Sequence, residues 1–174
     1  MSRSLRFAPL ALLLLVIVAL VWRLATPADT TVHSKLEGKP LPTFSLAVVP
    51  EKPALSSNEL ATGQPRIVNI FASWCVPCVG EVKVLQELKA RGVPIDGIAV
   101  RDQPQDIVYF LARNGDPYER IGSDPQSKVQ ISLGSSGVPE SFIVDGKGII
   151  RYQHIGPIEH TDVPMILGRL EQAR

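Results

Sequence analysis

The chain has 174 residues, with 18 Lys plus Arg against 17 Asp plus Glu and only 2 Cys. A net charge near zero gives no support for nucleic-acid binding, which usually shows as a basic excess. Two cysteines exclude both a disulfide-built scaffold and a four-cysteine zinc site. About 140 residues lie beyond the N-terminal segment, enough for one sizeable core.

Arg3 and Arg6 precede an uncharged apolar run from Phe7 to Trp22, which Arg23 closes. At 1.5 Å per residue the run spans about 24 Å, short of a hydrocarbon core of about 30 Å. Snorkelling of Arg6 and Arg23, with Trp22 at the interface, would cover the deficit. A signal-anchor helix over residues 1–24 and a cleaved signal peptide both fit this pattern. The best small-x-small site, Thr26-Pro27-Ala28, holds an awkward proline, which favours the anchor. In either case the charge bias exports the rest of the chain, to where disulfides persist. Residues 25–35 are polar and aperiodic and read as a tether, leaving 36–174 as the folded domain.

Within that domain, "RIVNIF" (66–71) is a short β-branched run, the pattern of a buried strand. Val82, Leu85 and Leu88 then recur at helical spacing, and Gly92 supplies a stop, which predicts a helix over 76–90. "PIDGIAV" (94–100) reads as a second strand and "QDIVYFLARNG" (105–115) as an amphipathic helix. "SFIVD" and "GIIRYQHIG" flank Gly146-Lys147-Gly148 as a β-hairpin. "TDVPMILGRLEQAR" closes the chain as a helix capped by Thr161. This order predicts an α/β fold: a central mixed sheet with helices on both faces.

Both cysteines lie in "FASWCVPCVG", where the first strand gives way to the first helix. Cys75 falls at the first helical turn, where free N–H groups and the helix dipole favour a thiolate. Cys78 follows three residues later, close enough to form a disulfide with it, and tucked further in. A thiolate attacks a partner disulfide and the second thiol resolves the mixed disulfide. Pro77 suits a first-turn position, where a missing N–H costs nothing. Zinc binding would need two further ligands, and His33, His154 and His160 show no ligand spacing to the pair. An inert disulfide would need neither the strand–turn–helix setting nor Trp74 before it. Redox exchange without a metal or bound cofactor, carried by the Cys75–Cys78 pair itself, is the reading that uses every feature. Downstream, "GVPES" (137–141) precedes a strand; Pro139 fits equally a cis peptide that aims the Val138 backbone at a substrate and a trans proline opening a strand.

"WCVPC" followed by "GVPESFIVD" resembles the thioredoxin fold. With "NIFASWCVPCVGEVKVLQEL", "GDPY" (115–118) and "GVPESFIVDGKGIIRYQHIG", the stretch from Leu36 to Gly156 resembles the membrane-anchored CcmG/DsbE family of cytochrome c maturation. The resemblance implies a thioredoxin-like domain held on the periplasmic side of a bacterial inner membrane by a single span. It implies a dithiol reductant that takes electrons from an inner-membrane thiol transporter of the CcdA or DsbD type. It passes them to apocytochrome c or a maturation component, so that haem-binding cysteines stay reduced. The family's nucleophile and resolving cysteines fall on Cys75 and Cys78, and its cis-proline loop on Val138, Pro139 and Glu140. Ser141 stands where the family often has Thr, and "ISLGSSG" departs from its usual lead-in. Asn69 replaces the buried aspartate of ordinary thioredoxins; an amide cannot titrate, which leaves Glu81 and Glu140 to handle protons. The competing functions are a general periplasmic reductant, a reductant for copper-centre assembly, and a redox-inactive module that binds cysteine-containing peptides.

Overall fold

The computed structural model describes residues 7–25 and 34–174 and divides the chain into two units, Met1–Thr31 and Val32–Arg174. Arg3, Arg6, His33, the Thr26-Pro27-Ala28 site and most of the expected tether lie outside the described residues. In the first unit, a run rich in leucine and valine forms the 18-residue α1 (Ala8–Ala25), which exposes large apolar side chains from Leu10 to Trp22. Its length is about 27 Å at the helical rise. Among the described residues, no helix is long and apolar enough to cross a membrane.

The second unit is built on one six-stranded sheet in the order β1-β4-β3-β2-β5-β6. The elements are β1 (Ala47–Val48), α2 (Ser57–Leu60), β2 (Arg66–Phe71), α3 (Val76–Ala90), β3 (Ile95–Val100), α4 (Pro104–Asn114), β4 (Arg120–Asp124), α5 (Lys128–Ser132), β5 (Glu140–Val144), β6 (Ile150–Ile155) and α6 (Val163–Gln172). β2, β3 and β4 run parallel, and β5, β6 and β1 are antiparallel to their neighbours. Every residue of β2 and of β3 is buried, so both faces of the sheet centre are covered, as parallel strands with helical crossovers demand. The mixed sheet of the sequence reading is present, with the strands and long helices it named.

Chain punctuation follows the residues that permit it. Gly92 (φ +83°) ends α3 with its N–H on the carbonyl of Lys89. The β5–β6 turn is tied by Asp145, whose Oδ1 accepts the N–H groups of Lys147 and Ile149. The last helix departs from expectation at its start. Asp162 occupies the N-cap, and Thr161 lies outside the helix; the Asp162 carboxylate instead accepts the N–H of Glu159 at 2.9 Å.

β1, α2, β4 and α5 are absent from the sequence reading. β4 reads Arg-Ile-Gly-Ser-Asp, with one large apolar residue, yet four of its five positions are buried. Both charged residues there have partners. Arg120 meets Asp96 at 3.3 Å, and the Asp124 carboxylate accepts three N–H groups at the start of α5. At Gly122 a Cβ would approach Leu46 to 2.5 Å, so glycine makes room for the segment that carries β1.

Candidate active site

The parallel strand β2 ends at Phe71, and a tight turn delivers Cys75 to the N-cap of α3. Cys75 and Cys78 form a disulfide with 5.3 Å between their Cα atoms. The N–H of Cys78 points at Cys75 Sγ at 3.2 Å. Pro77 sits in the first turn, where no intrahelical donor is lost. Both sulfur residues are almost closed off, Cys75 at 4% and Cys78 at 2% exposure, so the difference in depth between them is small.

Around this buried pair the surface is apolar and open. Trp74 and Val76 are exposed at 56% and 81%, and Val79 and Ile131 are exposed nearby. Trp74 is held by its indole N–H on the carbonyl of Arg101 (3.3 Å), and Ser73 before it donates its N–H and hydroxyl to the buried Asp102. A cleft of about 130 Å3 runs from Trp74 and Arg101 to Ile131, Gly137 and Val138. The Val138–Pro139 peptide bond is cis. Of the two conformations the sequence left open for Pro139, this is the one present.

Glu140 is neither solvated nor free. Its Oε1 accepts the N–H and hydroxyl of Ser136 and the N–H of Gly137, and its Oε2 accepts from Gln153. Four donors thus engage a buried carboxylate, which ties the approach to the cis proline down onto β6. These four hydrogen bonds give Glu140 a part in holding this loop.

Glu81 lies one turn beyond Cys78 on the inner side of α3 and is 2% exposed. Its Oε1 accepts the N–H of Ile158 (2.9 Å) and its Oε2 an N–H of Asn69 (3.1 Å). Burial outweighs these two hydrogen bonds and pushes the carboxyl up to about 7. Asn69 lies in a row that crosses the sheet, Gly97–Asn69–Ser141–His154. Its Nδ2 also donates to Ser141 Oγ at 3.0 Å, and its Oδ1 accepts the hydroxyl of Tyr118 at 2.8 Å. Tyr118 and Ser141 complete this polar chain, and sequence reasoning assigned neither a role. The available signal for Tyr118 was the Gly-Asp-Pro-Tyr stretch. Among the described residues no cluster of three His, Cys, Asp or Glu is placed to hold a metal.

A buried strand delivering a Cys-x-x-Cys disulfide to a helix N-terminus beside a cis proline defines the group to be sought among known proteins. The Redoxin family matches residues 36–169. The thiol:disulfide interchange protein DsbE of Escherichia coli K12 is 35% identical over 164 residues, covering 91% of this chain and 88% of that protein. The chain belongs to this family. The DsbE of Tatumella citrea is 36% identical over 163 residues, with 91% and 88% covered. The thiol:disulfide interchange protein HelX of Rhodobacter capsulatus is 34% identical over 158 residues, with 91% and 90% covered. Among solved structures, a thioredoxin-family thiol:disulfide interchange protein of Chlorobium tepidum superposes with a TM-score of 0.60 at 25% identity, over 84% of this chain and 99% of that one. A secreted thiol-disulfide isomerase of Corynebacterium glutamicum gives 0.65 at 23% identity, over 84% and 95%, a likeness of fold alone. As a DsbE-type Redoxin, the protein is a thiol:disulfide oxidoreductase with Cys75 and Cys78 as its Cys-x-x-Cys pair.

Proposed function

We propose that the protein is an exported dithiol reductant of cytochrome c maturation, with Cys75 as the attacking thiol. The observation that carries the direction of attack is the N-cap position of Cys75, with the Cys78 N–H aimed at its sulfur. In the reduced protein that N–H and the helix dipole stabilise a Cys75 thiolate. The thiolate attacks one sulfur of a partner disulfide, forming a mixed disulfide and expelling the partner's other sulfur as a thiolate. Cys78, losing its proton, then attacks Cys75 Sγ. The Cys75–Cys78 disulfide closes and the second partner sulfur leaves as a thiolate, so two electrons have passed to the partner, whose thiolates take their protons from solvent. Glu81, one turn from Cys78 and poised near neutrality, is the group that takes the Cys78 proton. The partner chain lies over Trp74, Val76 and Val138.

Membership of the DsbE family supports redox partners in cytochrome c maturation generally; the acceptor proposed is apocytochrome c or a maturation component, and the donor proposed is an inner-membrane transporter of the CcdA or DsbD type. The apolar, exposed side chains of α1 support an N-terminal membrane anchor, and Arg3 and Arg6 ahead of the apolar run support a catalytic unit on the periplasmic side. Trapping decides the partner. Cys78→Ala should accumulate a mixed disulfide through Cys75, and mass spectrometry should identify a cytochrome-maturation thiol protein in it. Capture through Cys78 in Cys75→Ala, with no adduct from Cys78→Ala, would reverse the roles. Absence of any adduct would favour a redox-inactive peptide binder. A mature N-terminus near Asp29, or recovery in a soluble fraction, would remove the anchor.

A further inference from the structure

We infer that Tyr118 is a positioning residue for thiol exchange: its hydroxyl fixes the orientation of the Asn69 side-chain amide, so that Asn69 presents N–H, and not carbonyl, to Glu81. The inference rests on the reading of Glu81 as the proton-exchanging group. A primary amide has nearly the same shape in its two flipped orientations, so its neighbours decide which is adopted. Ser141 Oγ touches Nδ2 at 3.0 Å but decides less, because an aliphatic hydroxyl accepts about as readily as it donates, whereas a phenol is the stronger donor and the weaker acceptor. Glu81 does not decide, since its carboxyl changes from donor to acceptor as it titrates. The Tyr118 hydroxyl does. It donates to Asn69 Oδ1 at 2.8 Å inside a fully buried site. If the amide flipped, the hydroxyl would have to accept an N–H and its own hydrogen would be left without an acceptor.

The hydroxyl is held in place by the rest of its residue. The Tyr118 ring stacks on Phe71 with centroids 4.7 Å apart. It fills the gap left by Gly97, where a Cβ would come within 3.1 Å of the ring and 2.8 Å of the Phe71 ring. Gly97 is the β3 neighbour of Asn69 in the sheet row, so the missing side chain admits the tyrosine beside the amide. The backbone is pinned as well: the Tyr118 N–H donates to Asp116 Oδ1 at 3.0 Å, and Lys52 Nζ donates to the Tyr118 carbonyl at 2.8 Å. Burial, followed by the charges of Glu81 and Asp116, keeps the phenol protonated well beyond its ordinary range, so it stays a donor while Glu81 titrates.

The other titratable groups around Glu81 are differently engaged. Cys75 and Cys78 on its own helix are joined as a disulfide. Glu140 on β5 is occupied by Ser136, Gly137 and Gln153, and His154 on β6 turns its Nε2 to the carbonyl of Pro157. Only the Asn69 amide and the Ile158 N–H touch the carboxylate among the described hydrogen bonds, and only the amide has an orientation to set.

The test is the infrared carboxyl titration of Glu81 in the full-length oxidised protein, its band assigned by loss in Glu81→Gln. Tyr118→Phe removes the hydroxyl and little else. Without the lock, the flipped amide that favours protonated Glu81 becomes accessible, and the midpoint should rise by about 0.5–1 pH unit. An unchanged midpoint, with or without a loss of stability, would overturn the inference. Should Tyr118→Phe fail to fold, NMR of the unaltered protein decides. Both Asn69 Nδ2 protons should shift with the Glu81 titration while remaining protected from exchange; protons indifferent to that titration would overturn it. If Glu81→Gln leaves the pH profile of disulfide exchange unchanged, the proton role of Glu81 fails. The infrared midpoint still reports on Tyr118 in that event.

Discussion

Glu81 is a carboxyl whose environment favours its neutral form, and that has a cost at the pH where it works. Its pKa rises from 4.5 to about 7 on folding, so the folded state holds a proton that the unfolded chain releases between those values. The contribution to stability is therefore fully present below 4.5 and is lost as pH rises through 7, about 3 kcal/mol in all. Chemical denaturation of the oxidised protein at pH 5 and pH 8 should show a loss of about 2–3 kcal/mol that is absent in Glu81→Gln. An equal slope in the variant would assign the pH dependence elsewhere. The buried Glu140 gives the contrasting case, a carboxylate that serves by accepting. Glu140→Ala would strand the N–H of Gly137 and the amide of Gln153, at about 3 kcal/mol. It should slow exchange by loosening the cis-proline approach while the pH profile of the rate keeps its midpoint. A displaced midpoint would return Glu140 to proton transfer.

The elements that sequence made legible are those with one dominant signal. β2 is six buried residues, three of them β-branched, and α3 combines an apolar spacing with a first-turn proline and a terminal glycine. β4 was illegible because its burial depends on partners far away in sequence. The same holds for Tyr118, since only the sheet row shows that Gly97 leaves room for its ring. The far end of the sheet makes the point energetically. Arg66 and Asp96 form an ion pair with both side chains buried, and Arg120 joins it from β4. Burial pushes the Asp96 carboxyl up even with two guanidinium groups beside it, and Arg66 Nε finds no partner among the described residues. Removing Arg66 leaves the buried Asp96 with only the partly exposed Arg120 to compensate it, so Arg66→Met should cost about 3 kcal/mol. Arg66 opens β2 and the cysteines follow its other end, about 17 Å away along the strand. The rate of disulfide exchange at a temperature where the variant is folded should be unchanged, measured by insulin or small-disulfide reduction. A slowed rate would show that the two ends of β2 are coupled.

For the molecule as a whole, the direction of electron flow is a statement about which redox form folds more stably. A pair gives electrons away when its disulfide gains more from the fold than its dithiol does, and each 1.4 kcal/mol of that difference is about 30 mV. Two features act oppositely here. The Cys78 N–H and the N-terminus of α3 stabilise a Cys75 thiolate, which favours the reduced form. The site around Cys78 is closed, 2% exposed, and faces the buried Glu81 across one helical turn. A Cys78 thiolate there would be both desolvated and near a second ionisable group, and the disulfide avoids placing an ionisable sulfur in this closed site. For a reductant the second effect has to win. Urea unfolding of the full chain, oxidised and fully reduced, should then give a higher midpoint for the oxidised protein at pH 7. The gap should widen as pH rises and Glu81 ionises beside the Cys78 thiol, and Glu81→Gln should remove that widening. A reduced form more stable than the oxidised form would make the pair an oxidant and overturn the proposed direction of electron transfer.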